Sequence, residues 1–128
     1  MSAQPGAGHR LCELAELEAT GCREFRLGSG EWPMRGFVVR SPEGVRAYVN
    51  RCAHMTYPLN CVEHRFLDHS GEYIECFVHG ALFERSTGYC LHGPCSGLSL
   101  AKIEIELRDG AVWLATGQDP EMLAQRYA

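Results

Sequence analysis

Two short stretches hold the residues most able to do chemistry: Cys52-Ala53-His54 and Cys76-Phe77-Val78-His79-Gly80, with 21 residues between His54 and Cys76. Each offers one thiol and one imidazole. Thiolate is a soft ligand that holds iron bridged by sulfide and holds zinc as well, and imidazole is a neutral alternative for either metal. The pair C-x-H and C-x2-H makes sense if two loops approach each other and each contributes both ligand types. On spacing alone two centres stand: an iron–sulfur cluster and a tetrahedral structural zinc. The seven cysteines of the chain point the same way. Their number is odd, and the polar, glycine-rich stretch Met1–Gly8 carries no apolar run of a signal peptide. A secreted disulfide framework is therefore not expected. In a reducing cytosol cysteines serve as metal ligands, catalytic groups or small core residues.

Two ligand loops need a frame, and the sequence around them reads as one all-β, mostly antiparallel domain of short strands, 1–128. Cys22 to Leu27 alternates weakly. Gly36 to Arg40 and Val45 to Asn50 flank Ser41-Pro42-Glu43-Gly44, a hairpin loop. Tyr73 to Cys76, Ala81 to Phe83 and Tyr89 to Leu91 are further strands, the last two divided by the turn Ser86-Thr87-Gly88. The clearest alternation runs from Ala101 to Leu107, apolar on one face and charged on the other, and predicts a single strand. Asp109-Gly110 then turns the chain into Ala111 to Ala115, the strongest hairpin signal present. Leu14 to Ala19 has the length of one helical turn. Asp119 as a cap, Pro120 in the first helical position and good helix formers from Glu121 to Tyr127 predict a short C-terminal helix. Residues 1–8 read as a flexible tail.

Composition limits the function classes. At 128 residues and 45% hydrophobic content the chain can bury a core but is small for an enzyme with its own substrate pocket. A formal charge of −4 without a clustered basic face argues against nucleic-acid binding. No segment approaches the roughly 18 apolar residues of a membrane span, so a soluble, cytoplasmic protein is expected.

The stretches Arg46-Ala47-Tyr48-Val49-Asn50-Arg51-Cys52-Ala53-His54 and Cys76-Phe77-Val78-His79-Gly80-Ala81-Leu82-Phe83, together with Thr87-Gly88 and Gly93-Pro94-Cys95, give the sequence its resemblance to a known family. Over roughly residues 11 to 116 it resembles the Rieske iron–sulfur proteins, and among them the small soluble Rieske ferredoxins. The resemblance implies one [2Fe–2S] cluster, with Cys52 and Cys76 on one iron and His54 and His79 on the other. It implies a cluster-binding subdomain, about residues 51–96, mounted on an antiparallel β-sandwich or barrel-like base formed by both ends of the chain. Gly93-Pro94 matches the loop that covers the cluster in this family. With these features zinc becomes the minor reading.

Departures from the high-potential members carry information. Those proteins have an extra cysteine in each ligand loop, joined as a disulfide; Tyr57 and Val78 stand at these positions here. Their serine and tyrosine hydroxyls, which donate to cluster sulfur, are matched by Ala81 and Phe83. Without those donors the reduced, more negative cluster is less stabilised, which implies the low-potential ferredoxin class. In such families the electron donor is a flavin reductase and the acceptor a terminal oxygenase. The chain itself is expected to be a carrier and not the oxygenase. That enzyme needs a further iron on two histidines and a carboxylate, and only His92 follows His79. A small Rieske-like subunit of a nitrite reductase is the narrower alternative, disfavoured because all four ligands are present.

Other residues invite attention and have plainer readings. Cys12 and Cys22 lie in predicted strands as core fillers, and Cys61 is expected to pack. Cys90 and Cys95 bracket Gly93-Pro94. A disulfide or an influence on the cluster is possible there, but two reduced small residues are favoured. His64, His69 and His92 carry no motif. Asp68-His69-Ser70 is a polar turn, since three adjacent residues cannot form a triad. Gly28-Ser29-Gly30 starts like a dinucleotide fingerprint but continues Glu31-Trp32-Pro33, so it is a turn. Met55 has an ordinary packing role as its simplest reading.

Overall fold

The computed structural model describes residues 9–28, 33–52, 58–77, 80–95 and 97–127. The expected tail 1–8 and most of the 28–32 turn lie outside them. The described elements are β1 (Arg10–Glu13), a 3-10 turn (Leu14–Leu17), β2 (Cys22–Leu27), β3 (Met34–Ser41), β4 (Gly44–Val49), β5 (Tyr73–Glu75), β6 (Leu82–Glu84), β7 (Cys90–His92), β8 (Lys102–Ile103), β9 (Ile105–Arg108), β10 (Ala111–Leu114) and α1 (Pro120–Tyr127). The fold is mostly antiparallel β with one short C-terminal helix, as the sequence predicts. Asp119 Oδ1 accepts the Glu121 N–H at 3.0 Å and so caps α1. No helix among the described residues is long and apolar enough to cross a membrane.

Among the described residues three sheets form, with strand orders β1-β10-β9, β2-β3-β4-β8 and β5-β6-β7. The four-stranded sheet is the wall shared by two cores. Successive side chains of a strand point to opposite faces, so Met34 and Val38 of β3, with Ala47 and Val49 of β4, face β1 and β10 and pack with Cys12, Val112 and Leu114. Phe37, Val39 and Tyr48 face the other way and pack with Leu59, Phe66, Ile74, Phe83 and Leu100 around β5-β6-β7. Phe37 stacks on Phe66 with ring centroids 4.0 Å apart. Burial on both faces goes with the continuous apolar run Phe37-Val38-Val39, which shows no alternation. The register is thereby fixed, since a one-residue slip would exchange the two cores.

The hairpin signals hold. Ser41 pairs with Gly44 across Pro42-Glu43. Asp109 and Gly110 turn with φ of 52° and 75°, the double positive φ that a two-residue type I′ loop needs. One expectation fails. The alternating stretch Ala101–Leu107 is two strands and not one. Ile103 pairs with Ala47 of the four-stranded sheet, whereas Ile105 pairs with Leu114 in the three-stranded base sheet. The chain changes sheets at Glu104, whose carbonyl accepts the Ala115 N–H at 3.0 Å. Ile103 is buried in the base core and Ala101 and Ile105 pack against it, so the pattern persists through the break, while Leu107 is exposed.

Candidate metal centre

Cys52 stands three residues past the end of β4 and Cys76 directly after β5. Both are buried, at 3% and 0% exposure, in the core that surrounds β5-β6-β7. Backbone bonds tie the two loops together. The Gly80 N–H donates to the Cys76 carbonyl and the Cys76 N–H to the Ala81 carbonyl, both at 2.8 Å, closing the second loop. The Phe77 N–H donates to the Leu59 carbonyl at 2.7 Å, joining that loop to the end of the first. Two thiols from separate loops thus lie in one hydrophobic core with Ala81 and Phe83, neither of which carries a hydroxyl. His54 and His79 lie outside the described residues, as do Met55, Tyr57 and Val78.

Cys90 and Cys95 lie in the same core. The Cys95 thiol donates to Cys90 Sγ at 2.9 Å, and the Cys90 thiol donates to the His92 carbonyl at 3.4 Å. Burial pushes the Cys95 thiol up to about 12, reinforced by the Cys90 bond and the proximity of Cys90 and Cys52. No three of the described His, Cys, Asp and Glu residues converge as metal ligands. Cys90 and Cys95 therefore do not complete a four-thiolate site with Cys52 and Cys76. A donor set of two buried thiols plus the two imidazoles of the same motifs fits a cluster held by two cysteines and two histidines.

A polar clamp that sequence reading missed braces the first loop. Asn50, 6% exposed, precedes the loop. Its Oδ1 accepts the Leu59 N–H at 2.8 Å, and its Nδ2 donates to Asn60 Oδ1 at 2.9 Å. One side chain therefore bridges the two ends of residues 50–59. Asn60 Nδ2 passes the chain on to Glu24 Oε2 at 2.6 Å; Arg35 donates to Glu24 Oε1 at 3.1 Å and the His64 N–H to Oε2 at 3.2 Å. Burial pushes the Glu24 carboxyl up, but the bonds from Asn60, Arg35 and the His64 N–H outweigh it and hold it below the usual range. His64 sits at φ 64°, and its Nδ1 accepts the Glu24 N–H at 3.0 Å. The only trace of this clamp in the sequence is Asn50, a buried polar residue beside a motif.

A family model for the Rieske [2Fe-2S] domain matches residues 8–104. The chain belongs to the Rieske [2Fe-2S] domain family. Membership assigns it one [2Fe–2S] cluster and, with that, one-electron transfer. Among solved structures the chain is similar to a Sphingomonas yanoikuyae B1 ferredoxin, with a TM-score of 0.62 and 24% identity over 82% of this chain and 94% of that one. The ferredoxin of carbazole 1,9a-dioxygenase from Nocardioides aromaticivorans IC177 matches with a TM-score of 0.62 and 22% identity over 83% and 94%. A chain of a complex of reduced oxygenase and oxidized ferredoxin in carbazole 1,9a-dioxygenase matches with a TM-score of 0.59 and 26% identity over 88% and 95%. No curated protein matches by sequence.

Within this Rieske chain the remaining expectations divide. Cys12 and Cys22 are core residues, their thiols pushed up by burial to about 11 and about 12. Cys61 is exposed and not packed, because the 58–67 segment presents backbone and Asn60, not Cys61, to the clamp. Asp68-His69-Ser70 is the polar turn expected, with Asp68 Oδ1 accepting from the Ser70 hydroxyl at 2.7 Å. His69 and His92 are exposed.

Proposed function

We propose that Cys52 and Cys76 bind one iron of the cluster and His54 and His79 the other, and that the chain, as a single Rieske domain, carries electrons within an oxygenase system. One observation carries this reading: the cysteines of both motifs are buried in one hydrophobic core, and each motif supplies a histidine near its cysteine. Bound there, the cluster supplies one-electron redox chemistry. The chain's part is to hold the thiolates apart from water, under Leu59, Phe66, Phe83 and Leu100. Ala81 and Phe83 bring no hydroxyl, so the reduced state lacks two donors that would stabilise it. The potential then belongs near the lower end of the Rieske range, roughly −150 to +300 mV.

A flavin-dependent reductase is the donor and a terminal oxygenase the acceptor. The oxygenase half of this pairing is supported by the solved ferredoxin–oxygenase complex to which the chain is similar.

Metal and sulfide analysis tests the centre. Two irons and two acid-labile sulfides per chain are expected, and Cys76→Ser should abolish them. One zinc and no sulfide would overturn the assignment. Mixed with a flavin reductase and NADH, the protein should become reduced, whereas oxidation of NADH by the isolated chain would contradict the role as carrier.

A further inference from the structure

We propose that Cys90 and Cys95 form an oxidisable pair that closes to a disulfide across the Gly93-Pro94 turn. The two sulfurs stand 2.9 Å apart, nearer than two unbonded sulfurs in ordinary contact and about 0.9 Å from the bond length of a disulfide. The backbone already holds them in register. The Cys90 N–H donates to the Leu98 carbonyl and the Leu98 N–H to the Cys95 carbonyl, both at 2.9 Å. Closure therefore needs side-chain motion and no change of strand pairing. Neither cysteine belongs to the two Cys/His motifs proposed to hold the cluster.

The turn that the disulfide would lock is the one packed on the second ligand loop. A Cβ at Gly93 would lie 2.8 Å from the Cα of Ala81, so the backbone there already rests directly on that residue. Joining Cys90 to Cys95 closes a short ring around Gly93-Pro94 and fixes this cover. Both cysteines are buried, while Leu91 and Leu98 beside them are about half exposed, at 45% and 47%. Opening of this edge admits the reagent. The oxidant is a small disulfide such as glutathione disulfide. One cysteine displaces a glutathione thiol from it, and the second cysteine displaces the other. One S–S bond is broken and one formed, two electrons pass to glutathione, and the two thiol protons end on two glutathione thiols.

The test treats the holoprotein with glutathione disulfide without air. Remaining thiols are then alkylated after denaturation, and the peptides are mapped. A Cys90–Cys95 link is expected, with the fragment lighter by two hydrogens, and with exposed Cys61 capped by glutathione as the control for reagent. Recovery of Cys90 and Cys95 as alkylated thiols when Cys61 is fully capped would overturn the proposal, as would a link from Cys95 to Cys52. In Cys95→Ser, Cys90 should be recovered unlinked. The oxidised protein should also lose colour to an iron chelator several-fold more slowly than the reduced one, and equal rates would remove the turn-locking role.

Discussion

Asn50→Ala should loosen the first ligand loop before the rest of the protein. Asn50 makes the two bonds that close residues 50–59 on themselves, and alanine removes both. The Leu59 N–H loses its acceptor, and Leu59 is 0% exposed, so an unsatisfied buried donor costs about 1–3 kcal/mol. Asn60 Oδ1 loses its donor too, but Asn60 is only partly buried and water replaces the bond at a cost of about 1 kcal/mol or less. The sum is about 1–4 kcal/mol, a sizeable part of the roughly 5–15 kcal/mol that holds a domain together. At about 4 °C per kcal/mol for a chain of this size, the midpoint falls by about 4–16 °C. Two probes separate loop from base: cluster absorbance reports the pocket, and far-UV circular dichroism reports the sheets. Absorbance should fall first in the variant, because the side chain of Asn50 bonds to Leu59 and Asn60, outside the strands of all three sheets. A double-mutant cycle with Asn60→Ala should show coupling of about 0.5–3 kcal/mol. If Asn50→Ala changes stability by less than about 0.5 kcal/mol, or both probes shift together, the clamp is not what closes the loop.

Glu24→Gln should narrow its stability gap to the wild type as pH falls. The carboxyl is held below its usual range in the folded chain, so its contribution is present above the unfolded value and fades as pH falls through the lower folded one; urea unfolding at neutral and acid pH measures this, and a gap that widens on acidification would contradict it. Gly93→Ala should destabilise the covering turn, since φ is +111° and the new Cβ would sit 2.8 Å from backbone; chelator-driven loss of iron should be several-fold faster, and an unchanged rate would mean the turn does not cover the site. Ala81→Ser should raise the reduction potential. A hydrogen bond to a charged acceptor is worth roughly 1.5–3 kcal/mol, and a third of that for one electron is about 20–40 mV; film voltammetry giving an unchanged or lower potential would show that residue 81 does not face the sulfur.

What was legible in the sequence was local or was a matter of chemical type. Asp109-Gly110, Pro42-Glu43 and Asp119-Pro120 dictate turns and a helix start through the φ values and caps of a few adjacent residues, and the structure follows them. The two motifs announce metal because thiolate and imidazole recur together. What was not legible depended on contacts between distant residues. The alternation of Ala101–Leu107 says which face is apolar but not which sheet the strand joins, so the change of sheet at Glu104 was invisible. Glu24 reads as an ordinary strand carboxylate until the fold brings Asn60 and His64 to it from 36 and 40 residues away in the chain.

The same wall gives the site its rigidity. Tyr48 and Phe37 fill the pocket-side core while Ala47 and Val38, their neighbours in sequence, fill the base core. Asn50 then leaves the end of β4 bonded to the Arg35 carbonyl at 2.8 Å, and Cys52 follows two residues later. The strand that leads to Cys52 thus has both faces packed, and that strand cannot tilt without disturbing one core or the other. The second loop has no such strand beneath it: β5 is only three residues long. It is held instead by single bonds, Phe77 to Leu59, Gly80 to Cys76 and Cys76 to Ala81, and by the Gly93 turn lying on Ala81. Loss of the covering turn should therefore affect the Cys76 side of the centre more than the Cys52 side, and a clasp between Cys90 and Cys95 would act where the frame is weakest.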